Sequence, residues 1–245
     1  MPRYFLEVSY KGTTYSGFQI QQNANTIQAE VEKSLQILFK ESMELTGSSR
    51  TDAGVHALQN FFHFDSNIVI NQKHIYNLNA ILPYDIIAKN IIEVGSDKHC
   101  RFAAESREYK YFIYNNKNPF LADRAYHYPY KLNIDLLHQA AAVLKQYQDF
   151  SSFSKKHTQV NNFNCNLFIS QWIIEGDCLV YNVKANRFLR GMVRALVATM
   201  LKVGREQLTV TDFKNIIEAK VFGKAFFDTP AHGLFLVKVD YENNL

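Results

Sequence analysis

The order in which the apolar periodicity changes along the chain is the strongest constraint on its fold. Residues 3–10 (RYFLEVSY) read as a strand. Ile27, Val31, Leu35 and Leu38 then step by four, four and three, the spacing of one buried helix face, and Thr26 can cap a helix that runs to about Lys40. A short strand is expected near 43–46, a strong one at 60–64 (NFFHF), a helix at 71–82 ended by Pro83, and an apolar strand at 85–94. Beyond the polar stretch 95–99 the order repeats. A strand at 108–114 (EYKYFIY) is followed by a helix from Asn133 to about Tyr147. Strands at 167–174 and 179–185 meet at Glu175-Gly176-Asp177, a helix at 188–203 is stopped by Gly204, and a strand at 234–241 closes the series. A short amphipathic helix at 211–219 is additional.

Twice, then, the chain reads strand, helix, strand, strand, helix, strand. This predicts an α+β fold of two ferredoxin-like (βαββαβ) halves. Their antiparallel sheets would lie side by side, with helices on one face and an active-site cleft between the halves. The halves share no sequence identity, so the repeat is one of topology, and the expected division is 1–97 and 98–245.

Composition narrows the class. With 47% hydrophobic and 14% aromatic residues in 245, a sizeable core forms and disorder is excluded. Cys100, Cys165 and Cys178 are odd in number and widely spaced, which suggests neither a disulfide scaffold nor a zinc site and suits a reducing, cytoplasmic setting. No apolar run approaches membrane-spanning length, and the start Met1-Pro2-Arg3-Tyr4 lacks a signal-peptide core, so no membrane association is expected. A net charge of +4 is compatible with a polyanionic partner.

Four groups of residues can carry chemistry. In Gly47-Ser48-Ser49-Arg50-Thr51-Asp52-Ala53-Gly54-Val55-His56-Ala57, small residues surround Arg50 and Asp52. The stretch reads equally as a tight turn with a surface ion pair or as a loop that lets a ligand approach its backbone. Asp52 can be a nucleophile, a base or an ion-pair partner, and no cluster of hard ligands near it suggests a metal. Arg187, Arg190 and Arg194 are spaced three and four apart, which predicts one helix face, at the end where cations oppose the helix dipole. Polyanion contact explains this better than a solvated face. Tyr109 and Tyr111 read first as strand residues that pack in a core, and second as stacking platforms for bases. Lys155, Lys156 and His157 read first as a solvated loop. His56 and His63 lack an evident third ligand and read as structural or groove residues, so no metal site is expected.

Taken together, these residues resemble the TruA family of tRNA pseudouridine synthases. The most specific signature is Arg50-Thr51-Asp52-Ala53-Gly54-Val55-His56. Supporting it, in order, are Tyr10-Lys11-Gly12, Gly17-Phe18-Gln19, Asn79-Ala80-Ile81-Leu82-Pro83 with Asp85-Ile86, and Arg107-Glu108-Tyr109-Lys110-Tyr111. Asp149-Phe150-Ser151-Ser152-Phe153, Asn186-Arg187-Phe188, Met192-Val193-Arg194 and Ala231-His232-Gly233-Leu234-Phe235-Leu236 follow. The likeness runs from about Tyr10 to Tyr241. The sequence departs from the family at Ser49 (usually Gly), Phe18 (commonly Trp), Ile20 (commonly Arg) and Lys11 (often Asp).

The resemblance implies isomerisation of uridine to pseudouridine in the anticodon stem-loop of tRNA, at positions 38, 39 and 40, by a homodimer that needs no cofactor or metal. It implies that Asp52 is the catalytic carboxylate, acting either as a nucleophile or in glycal formation. Arg194 would keep it ionised, and Tyr109 would stack on the uracil and relay a proton. Arg50, Arg187, Arg190, Lys155 and Lys156 would contact the RNA. A non-catalytic pair of RRM units has the same topology, but its RNP1 pattern is absent from both halves. An enzyme clamping an acidic metabolite leaves the lysine cluster and the aromatic load unexplained.

Overall fold

The computed structural model describes residues 1–155 and 162–242. It is a mixed, mostly antiparallel α+β fold in which the chain divides into two compact units, residues 1–105 with 235–245, and 106–234.

In the first unit, β1 (Arg3–Tyr10) lies between β3 (His56–Asp65) and β4 (Ile86–Val94), antiparallel to both. This central place explains its imperfect alternation. Tyr4, Phe5, Leu6 and Val8 are all buried, because both faces of the strand are covered. β2 (Thr46–Gly47) pairs with β3, and so does β9 (Leu234–Tyr241), in parallel, through His56↔Phe235 and Ala57↔Leu236. Helix α1 (Ile27–Phe39) has the expected cap, since Thr26 Oγ1 accepts the Ala29 N–H, and it buries Ile27, Val31 and Leu35. Helix α2 (Lys73–Ile81) packs on α1 and β4.

In the second unit, β8 (Cys178–Ala185) lies between β5 (Ala104–Tyr114) and β7 (Leu167–Glu175), antiparallel to both. A two-residue strand, β6 (Tyr126–His127), adds to β5 in parallel. Helices α3 (Ile134–Leu144), α4 (Met192–Gly204) and α5 (Val210–Glu218) pack together, and α3 also covers β7. Val180, Tyr181, Val183 and Ala185 of β8 are fully buried, as are Leu137, Leu144, Met192, Leu196 and Phe213 of the helices. Asn133 caps α3 through the Leu136 N–H, and Thr209 with Asp212 forms a capping box on α5.

Two expectations need correction. The apolar helix predicted from residue 188 begins only at Met192. Gly191 takes φ +74°, the left-handed region, which breaks the helical path ahead of it. Arg187 and Arg190 therefore precede the helix and do not share a face of it with Arg194. Pairing is also not wholly antiparallel, because β6 and β9 add in parallel where the order of elements implied antiparallel neighbours. Among the described residues no helix is long and apolar enough to cross a membrane.

Candidate active site

The Asp52 loop connects β2 to β3 and is fixed to the first unit from two sides. On one side stands Asn60, fully buried in β3. Its Oδ1 accepts the Ser49 N–H (3.2 Å) and its own neighbour's Phe61 N–H (2.9 Å). Its Nδ2 donates to the Ser49 carbonyl (2.8 Å) and to the Tyr10 hydroxyl (3.2 Å). Tyr10 in turn shares a 2.8 Å hydrogen bond with Thr51 Oγ1. All four amide positions of Asn60 are thus used, two of them directly on Ser49 in the chain that leads into Asp52 and a third through Tyr10.

On the other side the segment after β1 packs directly under the loop. The Phe18 N–H donates to the Thr51 carbonyl (3.1 Å), and the Gly12 N–H donates to His56 Nδ1 (3.1 Å). Gly12 comes so close that a β-carbon there would lie 2.7 Å from the Val55 carbonyl carbon. Asp85 secures this segment, accepting from the Tyr15 hydroxyl (2.6 Å), Thr14 Oγ1 (3.0 Å) and, through its carbonyl, the Lys11 N–H (2.9 Å). The His56 ring stacks on Phe235 at 4.5 Å, and Phe18 stacks on Phe62 at 4.5 Å. Ser48 Oγ accepts from the Tyr241 hydroxyl (3.1 Å).

What the loop presents is a carboxylate left unpaired within its own unit. Asp52 is half-buried and its carbonyl accepts the Val55 N–H (3.2 Å). Among the described residues of the first unit its carboxylate has no hydrogen-bond or ion-pair partner. Arg50 is exposed and donates from Nη1 to Gln19 Oε1 (3.2 Å), so the surface ion pair between Arg50 and Asp52 is not formed.

In the second unit Arg194 occupies the first turn of α4, half-buried. Its Nε and Nη2 both donate to the Thr229 carbonyl (2.9 and 2.5 Å), and Thr229 Oγ1 donates back to the Arg194 carbonyl (2.9 Å). Within that unit Nη1 has no acceptor among the described residues, so the cation is held in place with one donor edge left over. Tyr111, fully buried, donates to the neighbouring Pro230 carbonyl (2.7 Å), and burial pushes its phenol pKa up. Tyr109 is half-buried in β5, edge-on to Phe188 at 5.1 Å. The Arg190 side chain is exposed, and its carbonyl accepts the Lys155 N–H (3.1 Å). The aliphatic part of Lys155 lies over Gly191. Arg187 is half-buried, and its N–H donates to Asn186 Oδ1 (2.9 Å). Lys156 and His157 lie outside the described residues.

Comparison with known proteins places the family. A profile of the tRNA pseudouridine synthase family matches residues 7–103 and 140–242. The chain belongs to that family. It is 43% identical to a tRNA pseudouridine synthase A of Parabacteroides distasonis, over all of this chain and 98% of the relative. It is 40% identical to one of Bacteroides thetaiotaomicron, over all of this chain and 93% of the relative. It is 37% identical to one of Anoxybacillus flavithermus, over 99% of this chain and all of the relative. These relatives bear out the TruA resemblance along the whole chain.

Sequence reasoning missed two supports of the site, Asn60 with Tyr10, and Thr229. Asn60 carried a signal, a lone amide inside an aromatic strand (NFFHF), where a buried polar group must find partners. Thr229 carried none, since its role depends on a carbonyl.

Proposed function

We propose that this chain isomerises uridine to pseudouridine in the anticodon stem-loop of tRNA, at positions 38, 39 and 40, with Asp52 as the catalytic carboxylate. The observation that carries this reading is the Asp52 loop itself. It is anchored at Ser49, Thr51, Val55 and His56, while the Asp52 carboxylate is left unpartnered within its unit. Anchoring of this kind keeps a reacting group in one geometry, which is where much of an enzyme's rate advantage arises.

The chemistry is balanced without a cofactor, because substrate and product are isomers and no electrons are gained or lost. The bond from ribose C1′ to N1 breaks, and the base rotates. C5 then bonds to C1′, the C5 proton leaves, and N1 takes up a proton. Asp52 acts at the sugar, either by adding to C1′ or by taking the 2′ proton on the way to a glycal. A nearby cation favours an ionised carboxylate, and Arg194 is our choice for it, because Thr229 fixes its guanidinium and Nη1 is left over. Tyr109 stacks on the uracil and relays the C5 proton. A base in a stem must leave the stack to reach Asp52, and Arg50 fills the space it vacates or holds the adjacent phosphate. Arg187, Arg190, Lys155 and Lys156 follow the phosphate backbone. We take the enzyme to act in the cytoplasm as a homodimer, and we read each half as ferredoxin-like. The strand order β4-β1-β3-β2 of the first unit supports that reading of the first half.

The test is release of tritium from tRNA labelled at uracil C5. The wild-type protein releases it with no added cofactor, and Asp52→Asn does not, although it still binds tRNA. Near-normal turnover by Asp52→Asn would overturn the assignment. Tyr109→Phe retains stacking and slows only the proton step.

A further inference from the structure

We infer that His63, His99 and Cys100 form a binding site for a zinc-like divalent transition-metal ion, built from side chains other than those proposed for the isomerisation. The three side chains offer two ring nitrogens and a sulfur that all lie within 4.8 Å of one another. His63 comes from β3, while His99 and Cys100 belong to the turn that follows β4, so a bound ion would clip that turn to the sheet of the first unit.

The donor set suits such an ion. Imidazole and thiolate are the usual protein ligands of zinc, and tetrahedral bonds of about 2.0–2.3 Å place neighbouring ligand atoms about 3.4–3.6 Å apart. His63 Nδ1 and Cys100 Sγ are already 3.1 Å apart, and the rings of His63 and His99 lie 4.5 Å centre to centre. Adjustment by about 1 Å closes the remaining distance. A water would complete four-fold coordination, since His99 is only half-buried while His63 and Cys100 are buried.

The nearby Arg3 cation is offset by Asp65, to which it donates twice, at 2.7 and 2.8 Å. Binding has a cost. The Cys100 thiol, which donates to the Thr46 carbonyl at 3.2 Å, must release its proton to solvent. Ligation through His99 Nδ1 would also displace the exposed hydrogen bond from the Arg101 N–H (3.2 Å), whereas ligation through Nε2 keeps it.

The test uses the full chain, stripped with a chelator and titrated with Co²⁺, then with Zn²⁺ as competitor. One equivalent of Co²⁺ should bind and produce a thiolate-to-cobalt charge-transfer band that Zn²⁺ abolishes, and Zn²⁺ should raise the melting temperature. Cys100→Ser should remove the band, and His99→Gln, at a half-exposed position where folding is not at risk, should weaken binding about ten-fold or more. Cys165→Ser and Asp52→Asn should keep the band, which separates this site from the proposed catalytic one. The inference is overturned if the wild-type protein gives no such band, if Zn²⁺ does not raise the melting temperature, or if the band survives in Cys100→Ser.

Discussion

The Tyr10 hydroxyl lies 2.8 Å from Thr51 Oγ1; both residues are buried, and Thr51 immediately precedes Asp52, the carboxylate proposed as catalytic. Tyr10→Phe removes this contact and the one to Asn60 Nδ2, and it leaves two buried polar groups short of a partner. The expected loss of stability is about 1–3 kcal/mol. Because the contact orients the loop and touches no substrate, turnover should fall while tRNA affinity stays close to wild type. Asn60→Ala removes four hydrogen bonds and should cost more on both counts. Single-turnover tritium release, binding assays and urea unfolding on the same samples check this. An unchanged turnover number in soluble Tyr10→Phe would show that the network is only scaffolding.

Two glycines respond to the same substitution for different reasons. Gly12→Ala drives a methyl group into the Val55 backbone, 2.7 Å from the carbonyl carbon, and neither backbone can retreat without moving the Asp52 loop. The expected destabilisation is about 1–3 kcal/mol or more, with activity lost in step. At Gly191 the nearest atoms belong to the flexible Lys155 side chain, which can yield, but φ is +74°. The cost there is backbone strain of about 1–2 kcal/mol. Gly191→Asn, which tolerates that φ better, should recover part of it. Chemical denaturation of the three variants separates the two mechanisms.

Much of this was legible in local pattern, because local pattern is what fixes it. The Ile27 to Leu38 spacing with Thr26 ahead of it produces α1, and Glu175-Gly176-Asp177 produces the β7–β8 hairpin. Tyr109 and Tyr111 share a strand parity, yet Tyr111 is buried under the Pro230 segment and Tyr109 only half so, a difference made by chain 119 residues away. The arginine spacing misled because a three-and-four step describes a helix only if one is present, and Gly191 starts α4 after Arg187 and Arg190. Side-chain neighbours of His63 lie 36 and 37 residues on at His99 and Cys100, and only the return of the chain beside β3 brings them together.

Stability should fall steeply at alkaline pH. Tyr181 is fully buried, and burial raises its phenol pKa well above the ordinary value. Burial also raises Tyr111, and burial together with the Asp85 carboxylate raises Tyr15. A phenol whose folded pKa is raised contributes stability that is fully present below the unfolded pKa of about 10 and is lost as pH climbs through the folded value. Burial raises the Cys165 and Cys178 thiols as well, so unfolding free energy should begin to decline near the unfolded thiol value of about 8.5 and more steeply above about pH 10, by up to about 1.4 kcal/mol per pH unit for each such group. Tyr181→Phe should be less stable near neutrality, since Ser170 loses a 2.9 Å partner, but should show a shallower alkaline decline. Urea titrations at each pH, with tyrosinate absorbance of the native state, decide this; full ionisation of the native protein's tyrosines at pH 11 would refute it.

Arg190 offers the cleanest probe of how the protein holds RNA. Its side chain is exposed, and the contact it makes to the Lys155 N–H comes from its backbone carbonyl, so Arg190→Ala removes a charge without removing that hydrogen bond. If the guanidinium neutralises one phosphate, the mutation should lower tRNA affinity and reduce the magnitude of the slope of log K against log salt by about 0.7–0.9. Arg190→Lys should restore most of the slope, because a phosphate contact of this kind needs charge more than a planar fork. The rate at saturating tRNA should not change, since Arg190 has no part in the proposed bond-making steps. Binding measured from low to moderate salt separates the outcomes. A slope equal to wild type in Arg190→Ala would place this arginine off the RNA path, and a lost saturating rate would move it toward the chemistry.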